Sequence, residues 1–328
     1  MLPLLLALLL GAPPPAASLP APVRLAAMAF GKPVQIEVRD LPAEAAREVI
    51  QKALAEVAEI ERLTSGGGPD GGLTALNAAA GKGPQPVDPR LLSLLAVARD
   101  FCFWSEGAHG PMGRDLYSLW GLRTPVPDPP APERLETAVS VAACDRLTLD
   151  PVKGTAALAE GSGVELWGFA EGYAVDRAAE VLRQGGAANS LILLGSVQRG
   201  AGGGPDGKGW PVLLPQVPGQ EDLTGRIYLR DQSLSVAAQS DHPLQGGNAP
   251  YVNQRTGRPA QGVLVIAAVT ELAVDAQGLA AALIIAGPRE GQLRLGSLRP
   301  RPSVLWFMGS GTGAPLLVDY RWSAVNRR

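Results

Sequence analysis

The sequence predicts an α+β fold, and three observations carry the prediction. Apolar residues alternate over 34–38 as a half-buried strand requires, and the next segment, 43–60, spaces them as a helix does. Unbroken apolar runs at 191–194 and 263–269 have the length of buried strands. Helical spacing returns over 89–104 and 276–286, so helices and strands are interspersed along the whole chain.

Local signals place the elements in order. Val34, Ile36 and Val38 form the apolar face of the first strand, and the helix over 43–60 follows it. Gly66, Gly67, Gly68, Gly71 and Gly72 predict a flexible loop before Leu73. Asp88 and Pro89 make an N-cap and first-turn proline pair, which starts a helix running to Trp104. The glycines over 200–209 predict a turn joining the strand at 191–194 to another at 211–214. The strand at 263–269 is followed by the helix over 276–286, and no repeat of solenoid length is present.

Composition bounds the function. A chain of 328 residues, 46% hydrophobic and 18% charged, can bury a large core. Its net charge of −2 gives no basic footprint, which argues against a nucleic-acid partner. The 40 glycines and 30 prolines indicate many turns rather than disorder, because periodic apolar segments keep interrupting them.

Residues 1–18 read as an export signal. The apolar run over 4–10 is too short to span a bilayer, and Ala16-Ala17-Ser18 offers small residues for cleavage. No Lys or Arg precedes the run, so the usual basic n-region is missing, and no cysteine follows it to take a lipid. The expectation is an exported, periplasmic or extracytoplasmic protein with one domain over 19–328 and no transmembrane span. Cys102 and Cys144 are the only cysteines. They can pair if the chain is exported, but the apolar helix around Cys102 predicts a buried structural thiol, and two cysteines without a histidine cluster make no zinc site.

The segment 166–182 is the most informative. Gly168 and Gly172 punctuate a turn that runs into an amphipathic helix, and unpaired N–H groups with the positive end of the helix dipole favour an anion there. The same pattern fits a plain structural turn.

Read with four other segments, 168–178 resembles the FAD:protein FMN transferase (ApbE-type) family. Gly168 to Ala178 is similar to that family's Gly-Gly-Ile-Ala-Lys-Gly-Tyr-Ala-Val-Asp-Arg-Ala, with Glu171 in place of the lysine. Leu73-Thr74-Ala75-Leu76-Asn77 resembles its Ser-x-Leu-Asn, and Leu119-Trp120-Gly121 its Leu-Trp-Gly. Arg255-Thr256-Gly257-Arg258-Pro259 resembles its Pro-x-Thr-Gly-Arg-Pro turn, and 282–287 its Ala-Leu-Phe-Val-Leu-Gly. The resemblance is colinear from about 27 to 307.

That resemblance implies two interleaved sheet-and-helix halves sharing a central cleft. It also implies cleavage of the FAD diphosphate and transfer of FMN to a threonine or serine hydroxyl of a target flavoprotein, with magnesium bound. Asn77, Glu171, Gly172, Tyr173, Asp176, Thr256, Gly257 and Arg258 are the positions it assigns to FAD. Its magnesium ligands fall on the Ala170 carbonyl and on positions 277 and 281, which here are Gln277 and Ala281. Asp275 is the nearest replacement carboxylate, and it serves only if the helix starts late or bulges, because two positions turn a side chain by about 200°. Glu165 is a further candidate ligand. No catalytic residue is assigned.

Other positions depart too. Gly195-Ser196-Val197 stands for Gly-Gly-Asp, Gly110 for an aspartate, Pro250 for the histidine before the Thr-Gly-Arg-Pro turn, and Gly66-Gly67-Gly68 for a Ser-Thr-Tyr-Arg-like stretch. His109 reads as an exposed loop histidine, His242 beside Asp241 as a polar loop, and Trp120 as core. Thr256, Arg258, Tyr173 and Asp176 fit either flavin contacts or local structure. Three outcomes stay open: a transferase with an altered metal site, a descendant that binds flavin or a protein without transfer, and a scaffold whose cleft is filled by Trp167.

Overall fold

The structure is a computed structural model. It describes residues 21–65, 72–122, 124, 126, 128–214, 225–240, 250–309 and 316–325. The export segment, Gly66 to Gly68, Gly71, Asp241 and His242 lie outside these residues.

β1 (Val23–Ala29) and β2 (Lys32–Val38) form a hairpin, and α1 (Ala43–Thr64) follows. Then come α2 (Gly72–Ala78), β3 (Gln85–Pro86), α3 (Pro89–Trp104), α4 (Arg114–Leu119) and α5 (Pro132–Ser140). β4 (Leu147–Asp150) and β5 (Thr155–Leu158) lead to α6 (Ala170–Gln184). β6 (Ser190–Leu194), β7 (Val197–Ala201), β8 (Trp210–Leu213), β9 (Arg226–Leu229) and β10 (Gln232–Ala238) come next. The described chain closes with β11 (Val252–Asn253), β12 (Arg258–Pro259), β13 (Val263–Thr270), α7 (Ala273–Leu295), β14 (Ser303–Met308) and β15 (Leu316–Tyr320).

Eight strands make one sheet in the order β1-β2-β6-β7-β10-β13-β14-β15, with antiparallel neighbours throughout. α1 and α6 lay Ile50, Val57, Val175 and Leu182 on the β2 and β6 end, against Ile36 and Ile192. α7 lays Leu279, Leu283 and Ile284 on the other end, against Ile266 and Trp306. A smaller unit built from α2 to α5 and the sheet β3-β5-β4 packs its own apolar cluster beside Phe169 and Ala170. The α+β expectation therefore holds, with helices gathered on an antiparallel sheet.

Most elements start and stop where the sequence places them. Asp88 accepts the Arg90 N–H at 2.8 Å and Pro89 opens α3. Gly287, at φ 68°, breaks the continuous helical path of α7 before Pro288, and a further helical stretch runs on to Leu295. Three local expectations are corrected. The strand at 191–194 does not pass directly to 211–214, because it first pairs with β7, of which Gly200 is part. Gly72 opens α2 instead of sitting in a loop. Cys102 and Cys144 are not free thiols but a disulfide that ties the last turn of α3 to a short turn before β4.

Candidate functional site

The Gly168 turn delivers α6 into a cleft between the two halves. Gly168 has φ +90°, and a Cβ on it would lie 3.1 Å from the His109 ring. Only glycine suits both the left-handed backbone and the close approach. Gly172, one turn on, lets α6 cross α7, because a Cβ there would come within 2.5 Å of the Ala273 carbonyl oxygen.

Side chains fix the crossing. The Asp176 carboxylate accepts the N–H groups of Ala273 at 2.8 Å and Val274 at 2.9 Å, capping α7 from a neighbouring helix. Arg199 pairs with it at 3.4 Å. Burial nevertheless raises the Asp176 carboxyl to about 6, overriding the lowering by these donors. Gln277 Oε1 accepts the Gly172 N–H at 2.7 Å, and Ala170 N–H donates to the Leu166 carbonyl. The expected anion site at the start of α6 is thus reduced, since two of its first N–H groups already have protein acceptors.

Two adjoining cavities occupy the cleft. One, of about 180 Å³, is lined by Ser196, Ser235, Tyr251 and Ala281; the other, of about 290 Å³, by Glu61, Thr64, Glu165 and Ala170. Lys32, Trp167, Glu171 and Gln277 line both and form the wall between them. Lys32 Nζ meets Glu171 Oε1 at 2.6 Å across that wall. Trp167 lies against Tyr251 at 4.8 Å between ring centroids and meets Tyr117 at 5.7 Å. It narrows the cleft without filling it.

The residues assigned by resemblance separate into groups. Glu171, with Gln277 and the Ala170 main chain, faces the cavities. Asn77 clamps Val164 by two hydrogen bonds, of 2.9 and 2.7 Å, and lines a third cavity with Arg114 and Tyr117. Tyr173 is half-buried between two apolar clusters, with its hydroxyl pKa raised by burial. Thr256, Gly257 and Arg258 lie on the β11–β12 turn: Thr256 and Arg258 are exposed, and the Gly257 carbonyl accepts the Trp120 indole N–H at 2.8 Å. Trp120 is 8% exposed, as expected of a core side chain. These three residues line neither cleft cavity.

Asp275 and Ala170 are not brought together. α7 starts early, at Ala273, because Asp176 caps it, so Asp275 and Gln277 point to different sides of the helix. Asp275 lines a separate cavity with Phe101, Trp104 and Arg299, where burial raises its carboxyl pKa. Magnesium held as the resemblance implies does not fit these residues. The Gln277 oxygen is taken by Gly172, Ala281 offers a methyl group, and Asp275 opens elsewhere. Among the described residues no group of three or more His, Cys, Asp or Glu is placed to hold a metal ion. Glu165 shares a cavity with Ala170, and its Oε1 accepts the Trp167 N–H at 3.2 Å.

His109 is a second correction. It is 0% exposed and stacks on Phe169 at 4.8 Å, not out in a solvated loop. Burial lowers its pKa to about 3, so the imidazole is neutral at ordinary pH. The disulfide draws this segment inward: a Cβ on Gly110 would meet the Cys102 Cβ at 2.4 Å.

Sequence reasoning missed Lys32, the capping role of Asp176 and the tyrosine contacts of Trp167. Lys32 pairs with a residue 139 positions away, and no local pattern reports such a contact. Gln277, the polar residue within the apolar run 276–286, was the one available signal of a buried partner.

Comparison with known proteins places this geometry. The ApbE family matches residues 30–304. A FAD:protein FMN transferase of Rhodobacter capsulatus is 25% identical over 274 residues, covering 80% of this chain and 51% of the relative. One from Haemophilus influenzae is 30% identical over 220 residues, covering 62% of each. The chain thus spans about half the length of the first and under two thirds of the second. In fold, it is similar to the flavin transferase ApbE of Vibrio cholerae, with TM-score 0.80, 21% identity and coverage of 92% of this chain and 98% of that one. The apo flavinyl transferase ApbE of Pseudomonas stutzeri gives TM-score 0.81 at 18% identity, covering 94% and 97%.

Proposed function

We propose, from the premise that this chain belongs to the ApbE family, that it works on FAD as a FAD:protein FMN transferase. The observation that carries the reading is the colinear family match over residues 30–304, which includes the Gly168 turn, α6 and α7 that build the cleft. In the proposed reaction a threonine or serine hydroxyl of a target flavoprotein attacks the FMN phosphorus. The bond from that phosphorus to the bridging oxygen breaks, AMP leaves, and the hydroxyl proton passes to solvent or a base. Magnesium has no part in the proposed reaction, because Asp275, Gln277 and Ala281 do not fit it and the Ala170 carbonyl alone is left.

A second reading, flavin binding without transfer, is favoured by one contact. Gln277 Oε1 holds the Gly172 N–H at the position where the resemblance has a metal-binding aspartate. Export to an oxidising compartment belongs to either reading. The Cys102–Cys144 disulfide supports it, since such bonds persist mainly outside the cytosol.

Incubation of the protein with FAD and an acceptor flavoprotein, followed by intact-mass analysis of the acceptor, tests the proposal. An FMN increment that disappears when the acceptor hydroxyl is removed is the expected result. Saturable FAD binding with no increment would establish the second reading instead.

A further inference from the structure

Lys32 has no role in the reading above, yet it stands on the wall that both cleft cavities share. It is the sole lysine or arginine among the described residues lining them. We propose that Lys32 binds the phosphate groups of the cleft's ligand and that Glu171, its ion-pair partner, competes with them for its ammonium. The proposal rests on the reading of FAD as that ligand.

Three observations lead to it. The start of α6 offers little else to an anion, because the Gly172 and Ala170 N–H groups already donate to Gln277 and Leu166. FAD is two ring systems joined by a diphosphate, so a molecule spanning two cavities places its charged middle at the wall between them. Glu61 and Glu165 line the second cavity and repel phosphate from its depth, which leaves Lys32, on the wall beside Glu171, as the one cation either cavity offers among the described residues.

The ion pair itself is built asymmetrically. Glu171 side chain is 12% exposed and uses Oε1 for Lys32, while its buried Oε2 has no hydrogen-bond partner. An unpartnered buried carboxylate oxygen is a cost that a purely stabilising pair would avoid. One carboxylate oxygen anchoring a three-donor ammonium leaves N–H groups of Lys32, itself 31% exposed, able to reach a ligand.

Titration of the full chain with FAD, inorganic pyrophosphate and riboflavin, in parallel with Lys32→Gln and Glu171→Gln, tests this. Wild type is expected to bind FAD and pyrophosphate. Lys32→Gln is expected to weaken both by about tenfold or more, the loss of one charge-assisted contact, while riboflavin, which has no phosphate, is unaffected. Glu171→Gln, which frees the ammonium, is expected to tighten pyrophosphate binding, and thermal unfolding of each variant checks that it folds. Equal binding of FAD and pyrophosphate by wild type and Lys32→Gln overturns the assignment of Lys32 and leaves FAD as ligand. Lys32-dependent pyrophosphate binding without FAD binding overturns the FAD reading alone, and failure of wild type to bind either overturns both.

Discussion

Asp176 shows how one side chain can serve the site by holding its frame. The resemblance assigns it to FAD, but its two oxygens are engaged by the first N–H groups of α7, and Arg199 stands beside it. Leu272, at the N-cap position of α7, makes no side-chain cap, so the carboxylate from α6 does that work. Burial raises its pKa to about 6, whereas an unfolded aspartate titrates near ~3.9. Between those values the folded chain keeps a proton that the unfolded chain has released. The contribution of this group to stability is therefore fully present below about pH 4 and is lost as pH rises through about 6. Thermal midpoints of wild type and Asp176→Asn from pH 4 to 7 check this. The wild-type advantage is expected to shrink by roughly 2 kcal/mol over that range, and an advantage growing with pH would mean that the N–H donors and Arg199 outweigh burial.

At the scale of elements, what was legible in the sequence was whatever a segment determines by itself. α3 carries its own cap in Asp88 and its own first-turn proline, and its bounds match the expectation. α7 does not carry its start, because the cap comes from 97 residues away, and the expected first residue was three positions late. The burial of His109 was likewise invisible, since Phe169 and the disulfide beneath Gly110 impose it from outside the segment. That disulfide joins cysteines 42 residues apart and, within the smaller unit, anchors α3 to the turn before β4. Closing a loop of that length lowers the entropy of the unfolded chain by an amount worth about 4 kcal/mol. Cys102→Ser with Cys144→Ser is expected to lower the urea midpoint correspondingly, and reductant should do the same to wild type but not to the double variant. A wild-type midpoint insensitive to complete reduction would show that packing alone secures this segment.

For the molecule as a whole, the cleft is the product of two packed units, and its chemistry depends on which side chains the crossing of α6 and α7 turns inward. The sequence motifs located its walls, the Gly168 turn and α7, because glycine spacing and helix pattern are properties a segment carries by itself. They did not reveal that Lys32 faces Glu171 or that Gln277 ties down Gly172, because both contacts join distant segments. Where the resemblance implies metal ligands, Gln277 is instead hydrogen-bonded to Gly172 and Ala281 offers a methyl group. Binding of FAD should then be indifferent to magnesium. A ligand at 100 times its Kd stabilises the folded chain by about 2.7 kcal/mol, which for a chain of this size raises the unfolding temperature by roughly 5 °C. The same rise is expected with FAD in EDTA and in excess magnesium. A rise confined to magnesium would show that ligands other than Asp275, Gln277 and Ala281 complete a metal site beside the Ala170 carbonyl, and the inward carboxylates Glu61, Glu165 and Glu171 would be the first to substitute.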